Sequence, residues 1–159
     1  MVIQTHKSRI VASQLQREQP QALQLITAGN LICNFLEPLI ADLELNLTEA
    51  LTLIAIRDLG VDKAGPTAIA AYIGLKRPSI TGYLPKLKLR KLIRETTAHG
   101  KRPRFELTVA GSKLVLGIDR AVAGADQLIR QLLPVKEHEF LQRKMPRIVS
   151  DLRWAAAQG

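Results

Sequence analysis

The chain has 159 residues, 47% of them hydrophobic, which is enough to bury a core within one domain-sized unit. No apolar run reaches the roughly 18 uncharged residues that span a bilayer, and the first residues lack the continuous apolar segment of a signal peptide. A single cysteine and three scattered histidines predict neither an internal disulfide nor a zinc site. We therefore expect a soluble, cytoplasmic protein without a metal or cofactor.

The first third of the chain predicts helices. Residues 20–45 carry apolar side chains at spacings of mostly three to five, typical of a helical face, and Gly29, Asn30 and Pro38 predict a kink. Residues 6–19 form a further candidate helix. We assign residues 1–46 to N-terminal helices.

The next segment predicts two short helices. Thr48 is the expected N-cap of the first, and Leu51, Ile54, Ala55 and Leu59 form its expected buried stripe, which ends at Gly60. A polar connector leads to an alanine-rich helix from Pro66 to Ile73, and Gly74 ends it. Small side chains at Ala68, Ala70 and Ala71 allow this helix to cross its neighbour closely.

A further helix starts at Lys76-Arg77-Pro78, with proline in the first turn, where its missing N–H has no partner to lose. Ile80, Leu84 and Leu87 are spaced to face the core. The opposite, solvent-facing side is then expected to carry Ser79, Gly82, Tyr83, Lys86 and Arg90. Two short helices joined by a glycine turn, the second with a basic outer face, are typical of a helix-turn-helix.

The pattern then changes to period two. Residues 94–97 and 104–107 predict two strands, with Phe105 and Leu107 pointing inward and Arg104 and Glu106 outward. Between them residues 98–103 form a basic tip in which Gly100 allows positive φ. A basic hairpin directly after a recognition helix is a wing, so residues 47–107 are assigned to one winged lobe.

Thr108 is the expected cap of a long helix that Pro134 ends or kinks. A last helix has Phe140, Leu141, Met145, Ile148 and Leu152 on one face. Since so small a winged lobe offers little to cover these faces, residues 108–159 are predicted to dimerise with a second copy of the chain.

The positive charge is concentrated in one window. Between residues 76 and 104 ten basic residues face one acid, Glu95, which gives this window the whole net charge of +9, and the remaining 13 basic and 13 acidic residues cancel. A merely solvated basic face is the plainer interpretation, but solvated surfaces usually interleave both signs, so the segregation favours a polyanionic partner.

From Leu47 to about Leu114 the order of these pieces resembles the MarR family of winged-helix regulators. The matching segments are Leu47-Thr48, Thr67-Ala68-Ile69-Ala70, Pro78-Ser79-Ile80-Thr81-Gly82-Tyr83-Leu84 with Leu87, and Leu107-Thr108-Val109-Ala110-Gly111. The resemblance implies a mainly α-helical winged helix-turn-helix fold with about six helices and a small β-hairpin wing. It also implies a homodimer in which the N-terminal helices of residues 1–46 and the C-terminal helices form the subunit interface. The two recognition helices then enter successive major grooves of a pseudo-palindrome, and a pocket binds a lipophilic small-molecule effector.

Three features depart from the family pattern. An acidic residue usual before the wing arginine is absent from His99-Gly100-Lys101-Arg102, so Arg102 is the expected groove-inserting residue and Lys101 the alternative. The glycine usual after the recognition helix is missing. Pro85 lies inside that helix, where it removes the bond to the Thr81 carbonyl and is expected to kink the helix or cost about 3 kcal/mol.

The sequence thus predicts a transcriptional regulator, as a repressor, that binds double-stranded DNA. The residues expected to contact phosphates are Lys76, Arg77, Lys86, Lys88 and Arg90, and those nearest the base edges are Ser79, Thr81, Gly82 and Tyr83. Pro78 is also expected to contact DNA, and the wing contributes Lys101, Arg102 and Arg104. Tyr83 is equally compatible with a partly buried structural position.

Two other classes of function remain open. The winged helix is also compatible with a protein- or RNA-interaction module that lacks sequence-specific DNA binding. An enzyme is disfavoured, because no carboxylate pair, activated nucleophile or glycine-rich phosphate loop is placed to act together. Cys33 is interpreted as a buried thiol rather than a redox sensor, since no nearby motif suggests thiolate activation.

Overall fold

The computed structural model describes residues 20–96 and 102–158, with side chains to residue 155. These residues form six helices and two strands: α1 (Gln21–Ala41), α2 (Leu47–Leu59), α3 (Pro66–Ile73), α4 (Arg77–Leu89), β1 (Ile93–Thr96), β2 (Arg104–Leu107), α5 (Val109–Leu132) and α6 (Val135–Gln158). The predicted mainly α-helical fold with a β-hairpin is confirmed. The helix predicted over residues 6–19 and residues 97–101 of the predicted wing lie outside the described residues.

The chain divides into two compact units, with the boundary between Phe35 and Leu36 inside α1. In the first unit, the described part of α1 exposes most of its large apolar side chains, among them Leu23, Ile26 and Leu31. Cys33 is half-buried rather than buried, and its thiol is free. This part of α1 therefore carries exposed apolar surface.

Helix α1 runs unbroken through Gly29 and Pro38. The expectation that no segment is apolar enough to span a bilayer needs correction, because α1 alone among the described helices meets that test of length and composition, with a mean hydropathy of 1.3. Helices of soluble proteins pass the same test. A membrane position would also bury the amides of Asn30 and Asn34, which is costly.

The second unit holds the hydrophobic core, whose largest fully buried apolar side chains are Ile40, Leu53, Ile56, Ile69, Ile80, Leu87 and Ile118. The stripe expected on α2 is partly wrong. Leu53 and Ile56 are buried, whereas Leu51, Ile54 and Leu59 are only half-buried. Because α2 packs against α3, α4, α5 and β2 together, its buried face is wider than one stripe.

The start of α2 also differs from the expectation. The N-cap is Asn46 rather than Thr48: its Oδ1 accepts a hydrogen bond from the Glu49 N–H at 2.9 Å, and the Glu49 carboxylate accepts one from the Asn46 N–H at 3.0 Å. This reciprocal arrangement is a capping box. Thr48 lies inside the helix, where its carbonyl accepts a hydrogen bond from the Thr52 hydroxyl.

The two helices of the helix-turn-helix have the predicted ends. Pro66 lies in the first turn of α3, and Gly74 ends α3 in the left-handed conformation, with φ of 75°. Lys76 precedes α4, which has Pro78 in its first turn. Of the three alanines expected between the helices, Ala70 is buried, Ala68 half-buried and Ala71 exposed.

The hairpin begins one residue earlier than predicted, at Ile93. Its strands are antiparallel and pair Ile93 with Leu107 and Glu95 with Phe105. Phe105 is buried and its N–H donates to the Ala64 carbonyl at 3.0 Å, so the connector before α3 is bonded to the wing strand. The wing base is thereby fixed against the helix-turn-helix.

The chain leaves α4 without the glycine that this position usually holds. Lys91 adopts the left-handed conformation instead, with φ of 55°, and the Leu92 N–H donates back to the Leu87 carbonyl at 3.0 Å. These are the geometry and the bond of a Schellman helix end. A lysine side chain makes that conformation more costly than glycine would.

Thr108 caps α5 as predicted, and its hydroxyl oxygen accepts a hydrogen bond from the Gly111 N–H at 3.1 Å. Pro134 separates α5 from α6 rather than kinking one helix. On α5, Val115, Ile118 and Ala125 are buried, whereas α6 buries no residue among its described side chains. The apolar face predicted on α6 is therefore present but only partly covered, with Leu141 and Met145 half-buried and Phe140, Ile148 and Leu152 exposed.

Replacing Gly111 with alanine is expected to destabilise the protein. A Cβ at this position would overlap the Leu92 carbonyl group, which is backbone and cannot rotate away. We expect Gly111→Ala to lower the free energy of unfolding by about 1–3 kcal/mol in urea denaturation. Gly124→Ala is the matched control, because nothing lies within 4 Å of its added Cβ on the same helix. Equal stability of the two variants would contradict the packing described.

Candidate nucleic-acid interface

The recognition helix α4 has one face in the core and one in solvent. Ile80, Leu84 and Leu87 are buried as predicted. The outer face exposes the following residues, which include most of those expected to meet DNA: Arg77, Pro78, Ser79, Thr81, Gly82, Lys86 and Lys88. Nothing lies within 4 Å of a Cβ built on Gly82, so a ligand can approach the backbone there.

Tyr83 is half-buried at the edge of this face. The ammonium group of Lys86 lies 5.6 Å from the centre of its ring, within the range of a cation–π contact. The contact holds Lys86 beside the ring and leaves its charge at the surface.

Three of the basic residues in the window are held by contacts within the protein. Lys88 pairs with Glu95, and Arg94 pairs with Glu106. Arg90 donates from Nη1 to the Glu44 carbonyl oxygen at 2.7 Å and lies 3.9 Å from the Glu49 carboxylate. Arg90 therefore anchors the end of α4 to the turn before α2, a role that the sequence alone did not suggest.

Lys76, Arg77 and Lys86 form no ion pair with any described carboxylate. Their charges are available to an outside anion. The cations in and beside α4 thus divide into a free set, Lys76, Arg77 and Lys86, and a held set at the end of the helix, Lys88 and Arg90.

The base of the wing meets the start of α4. Arg77, Arg102 and Arg104 line one groove of about 720 Å³, together with the connector before α3. Arg104 is half-buried, and its guanidinium lies over Gly65, where any side chain at position 65 would overlap it. Arg102 is exposed, and Lys101 lies outside the described residues.

Pro85 does not break the recognition helix. It lies on the exposed face, and α4 continues through it to Leu89. Because proline has no N–H, the bond to the Thr81 carbonyl is missing, as expected. The helix retains its length because Ile80, Leu84 and Leu87 fix it to the core on the opposite side.

A group of polar contacts that the sequence did not reveal joins four helices of the second unit. Arg57 Nη1 donates to both carboxylate oxygens of Asp119, at 2.8 and 2.7 Å, and Arg57 Nε donates to Asp58 at 2.7 Å. The Tyr72 hydroxyl donates to the other Asp58 oxygen at 2.5 Å. Arg153 donates to the Tyr72 carbonyl and stacks on its ring, 5.0 Å from the centre. We call these five residues the Arg57 network.

These contacts shift the pKa values of the residues in the network. Hydrogen bonding to Asp58, and then burial, raise the pKa of Tyr72 above its ordinary 10.0. Burial by itself raises the pKa of Asp58, but hydrogen bonds from Arg57 and Tyr72 outweigh it and leave that pKa below its ordinary 3.8. Hydrogen bonds to Asp58 and Asp119 raise the pKa of Arg57 still further above neutrality. All three groups therefore keep their usual charge near neutral pH.

Tyr72→Phe is expected to test the phenol–carboxylate bond through pH. The raised pKa of Tyr72 means that its contribution is fully present below pH 10.0 and is lost as the pH rises through the folded value. Near neutral pH, the free energy of unfolding in urea should be about 1 kcal/mol higher for the wild-type protein than for Tyr72→Phe. This difference should shrink as the pH rises above the ordinary tyrosine pKa. Tyr83→Phe, which removes a hydroxyl with no such bond, should give no difference at either pH. A Tyr72→Phe difference that is constant with pH would argue against the bond.

The helices and hairpin described above define a winged helix-turn-helix protein, and solved structures share this architecture. MepR of Staphylococcus aureus is 18% identical, with 85% of this chain and 99% of MepR covered at a TM-score of 0.72. A MarR-family transcriptional regulator from Rhodococcus sp. RHA1 is 16% identical, with 83% and 98% covered and a TM-score of 0.72. CouR from Rhodococcus jostii RHA1 is 17% identical, with 80% and 90% covered and a TM-score of 0.70.

The comparison establishes that this chain has the winged helix-turn-helix fold found in MarR-family regulators. No family model and no curated protein matches the sequence. Since the identities are low, the likeness concerns the fold, and the function has to be argued from the residues of this chain.

Proposed function

We propose that this protein is a MarR-type transcriptional regulator that binds double-stranded DNA in a sequence-specific manner, as a homodimer on a pseudo-palindromic site. The observation that carries the proposal is that Lys76, Arg77 and Lys86, at the start of α4 and along it, are exposed without an ion pair to a described carboxylate. Arg77 also lines one groove with Arg102 at the wing base. A helix that presents such a face, with its other side buried, fits a major groove.

The cations and the small polar residues have different tasks in this proposal. Lys76, Arg77 and Lys86 contact phosphates, which supplies affinity and orientation but carries little sequence information. Pro78, Ser79, Thr81 and Gly82 are exposed on the same helix and are short enough to let it approach base edges. Lys88 and Arg90 reach DNA only if they exchange their present partners, so we assign them a smaller share.

The wing supplies the second contact. Arg102 is exposed at the base of the hairpin and enters the adjacent minor groove, where the negative potential attracts arginine. Lys101 is the alternative for this role. Arg104 is half-buried against Gly65 and steadies the wing, so we expect it to contact the backbone of the duplex at most.

The homodimer is supported by uncovered apolar surface. On α6 the exposed fractions of Phe140, Leu152 and Trp154 are 56%, 60% and 69%. On α1 many of the large apolar residues are exposed as well. Exposed apolar surface of this extent marks an interaction site, and a second copy of the chain is the partner whose symmetry matches a palindrome. Residues 1–46 and 108–159 are accordingly the proposed dimerisation segments, and residues 47–107 the DNA-binding lobe.

The similar structures support the partners proposed. MepR has been crystallised with DNA, and CouR with p-coumaroyl-CoA. By analogy we assign duplex DNA to this protein, in the cytoplasm, in the role of a repressor that a lipophilic small molecule releases. We assign it no catalytic activity.

The salt dependence of binding tests the proposal. The logarithm of the affinity should fall linearly with the logarithm of the salt concentration. Lys86→Ala removes one lysine from each chain of the dimer, and each lysine removed should make the slope less steep by about one. Lys136→Ala is the matched control, since it removes the same charge from an exposed position on α6.

The same titration separates duplex DNA from other partners. A slope near zero, or an equal slope for Lys86→Ala and wild type, would contradict the assigned face. Tighter binding to duplex RNA or to single strands than to duplex DNA would favour the RNA-interaction alternative instead.

Light scattering tests the dimer. The molar mass measured for the wild-type protein should be twice the chain mass of 17.6 kDa. Leu152→Asp should shift it towards the monomer, because a carboxylate in the apolar face of α6 cannot be buried without a partner. Leu89→Asp makes the same change at an exposed leucine of α4 and should leave the dimer intact. A monomeric wild-type protein would refute the assignment.

A further inference from the structure

The Arg57 network connects the C-terminal helices to the helix-turn-helix. Within residues 20–96 and 102–158, the only side-chain hydrogen bonds from α5 or α6 to α2, α3 or α4 are those of Asp119 with Arg57 and of Arg153 with the Tyr72 carbonyl. The network is therefore a defined polar link between the two parts.

Arg153 contacts α3 at a place where a cation is favoured. Tyr72 is the last but one residue of α3, and the carbonyls of a last turn lack helical N–H partners and carry partial negative charge. The guanidinium donates to the Tyr72 carbonyl and also stacks on the same residue's ring. Arg153 thus caps α3 from α6 and restricts how the end of α3 can move.

The end of α3 sets the start of the recognition helix. Only Gly74, Leu75 and Lys76 separate α3 from α4, and the Leu75 N–H donates back to the Ala70 carbonyl at 2.9 Å. Ile69 of α3 and Ile80 of α4 are both fully buried in the shared core. A shift of α3 must therefore move α4 with it.

We propose that Arg153 is a positioning residue for DNA binding, which fixes the orientation of the recognition helix relative to α6 by capping α3 at Tyr72. In a dimer built through α6, that orientation sets the distance between the two recognition helices. The proposal rests on the proposed function. It predicts that Arg153 strengthens the binding of a duplex with two half-sites but does not affect the binding of a single half-site.

The test compares two variants that each remove one positive charge from α6. Arg153→Gln breaks the cap, whereas Arg147→Gln breaks only an ion pair with Asp151 whose side chains are 82% and 71% exposed. The probes are a duplex that the wild-type protein selects from a random-sequence pool, and the same duplex with one half-site scrambled. Binding to both is measured by titration, and the oligomeric state by light scattering at the same concentration.

Arg153→Gln should bind the two-half-site duplex roughly two- to thirty-fold more weakly than Arg147→Gln, the range expected for changes within a coupling network. The two variants should bind the one-half-site duplex equally. Arg153→Lys, which keeps a donor for the carbonyl but loses the planar stack, should fall between Arg153→Gln and wild type.

The proposal is overturned by equal affinities of the two variants for the intact duplex, or by an equal loss on both probes for Arg153→Gln. A monomeric Arg153→Gln variant would also overturn it, since the defect would then come from assembly. Failure of the wild-type protein to select any duplex would overturn the proposed function itself, and so is distinguishable from failure of the positioning role.

Discussion

The carbonyl group of Leu92 lies where the recognition helix, the wing and the C-terminal helix meet. It accepts hydrogen bonds from the Thr108 N–H at 3.0 Å and from the Thr108 hydroxyl at 3.2 Å, and the first turn of α5 packs so closely on it that only glycine fits at position 111. The residue before it, Lys91, adopts a left-handed conformation to bring the chain there. This junction fixes the end of α4 against the start of α5, so the outer face of α4 is held in one orientation.

This rigid frame decides which of the surface charges are engaged within the protein and which are free. If none of the ten basic residues in the window had a partner within the protein, they would form one diffuse positive region. Instead, Lys88, Arg90 and Arg94 are engaged with acidic or carbonyl groups of the protein, while Lys76, Arg77 and Lys86 point to solvent without a described acidic partner. The held cations bind groups within the protein, and the free ones are available to an outside anion.

Sequence patterns correctly predicted those features that depend on interactions between residues close together in the chain. The spacing of Ile80, Leu84 and Leu87 identified the buried side of α4, and Gly74 identified the helix end, because each depends on a few neighbouring residues. The cap at Asn46 was missed because Thr48 offered an equally suitable side chain two residues on. The wider buried face of α2 was missed because it depends on four partners that the chain brings together only on folding.

The Arg57 network could not be predicted from the sequence for the same reason. Its members are separated by up to 96 positions, and nothing local marks Arg153 as a partner of Tyr72 rather than another exposed arginine of α6. The anchoring role of Arg90 was likewise hidden, since the Glu44 carbonyl that it contacts lies 46 residues away. Sequence patterns predicted the basic residues on the exposed face of α4, and the fold decided which of their charges are free.

Hydrogen exchange of backbone amides with and without a selected duplex tests the central claim most directly. The account predicts that DNA slows exchange in Arg77–Leu89 and around Arg102 to Leu107, while Val135–Gln158 is unaffected. Slower exchange confined to α6 or α1, with α4 unchanged, would show that the duplex does not bind the face formed by the recognition helix and the wing.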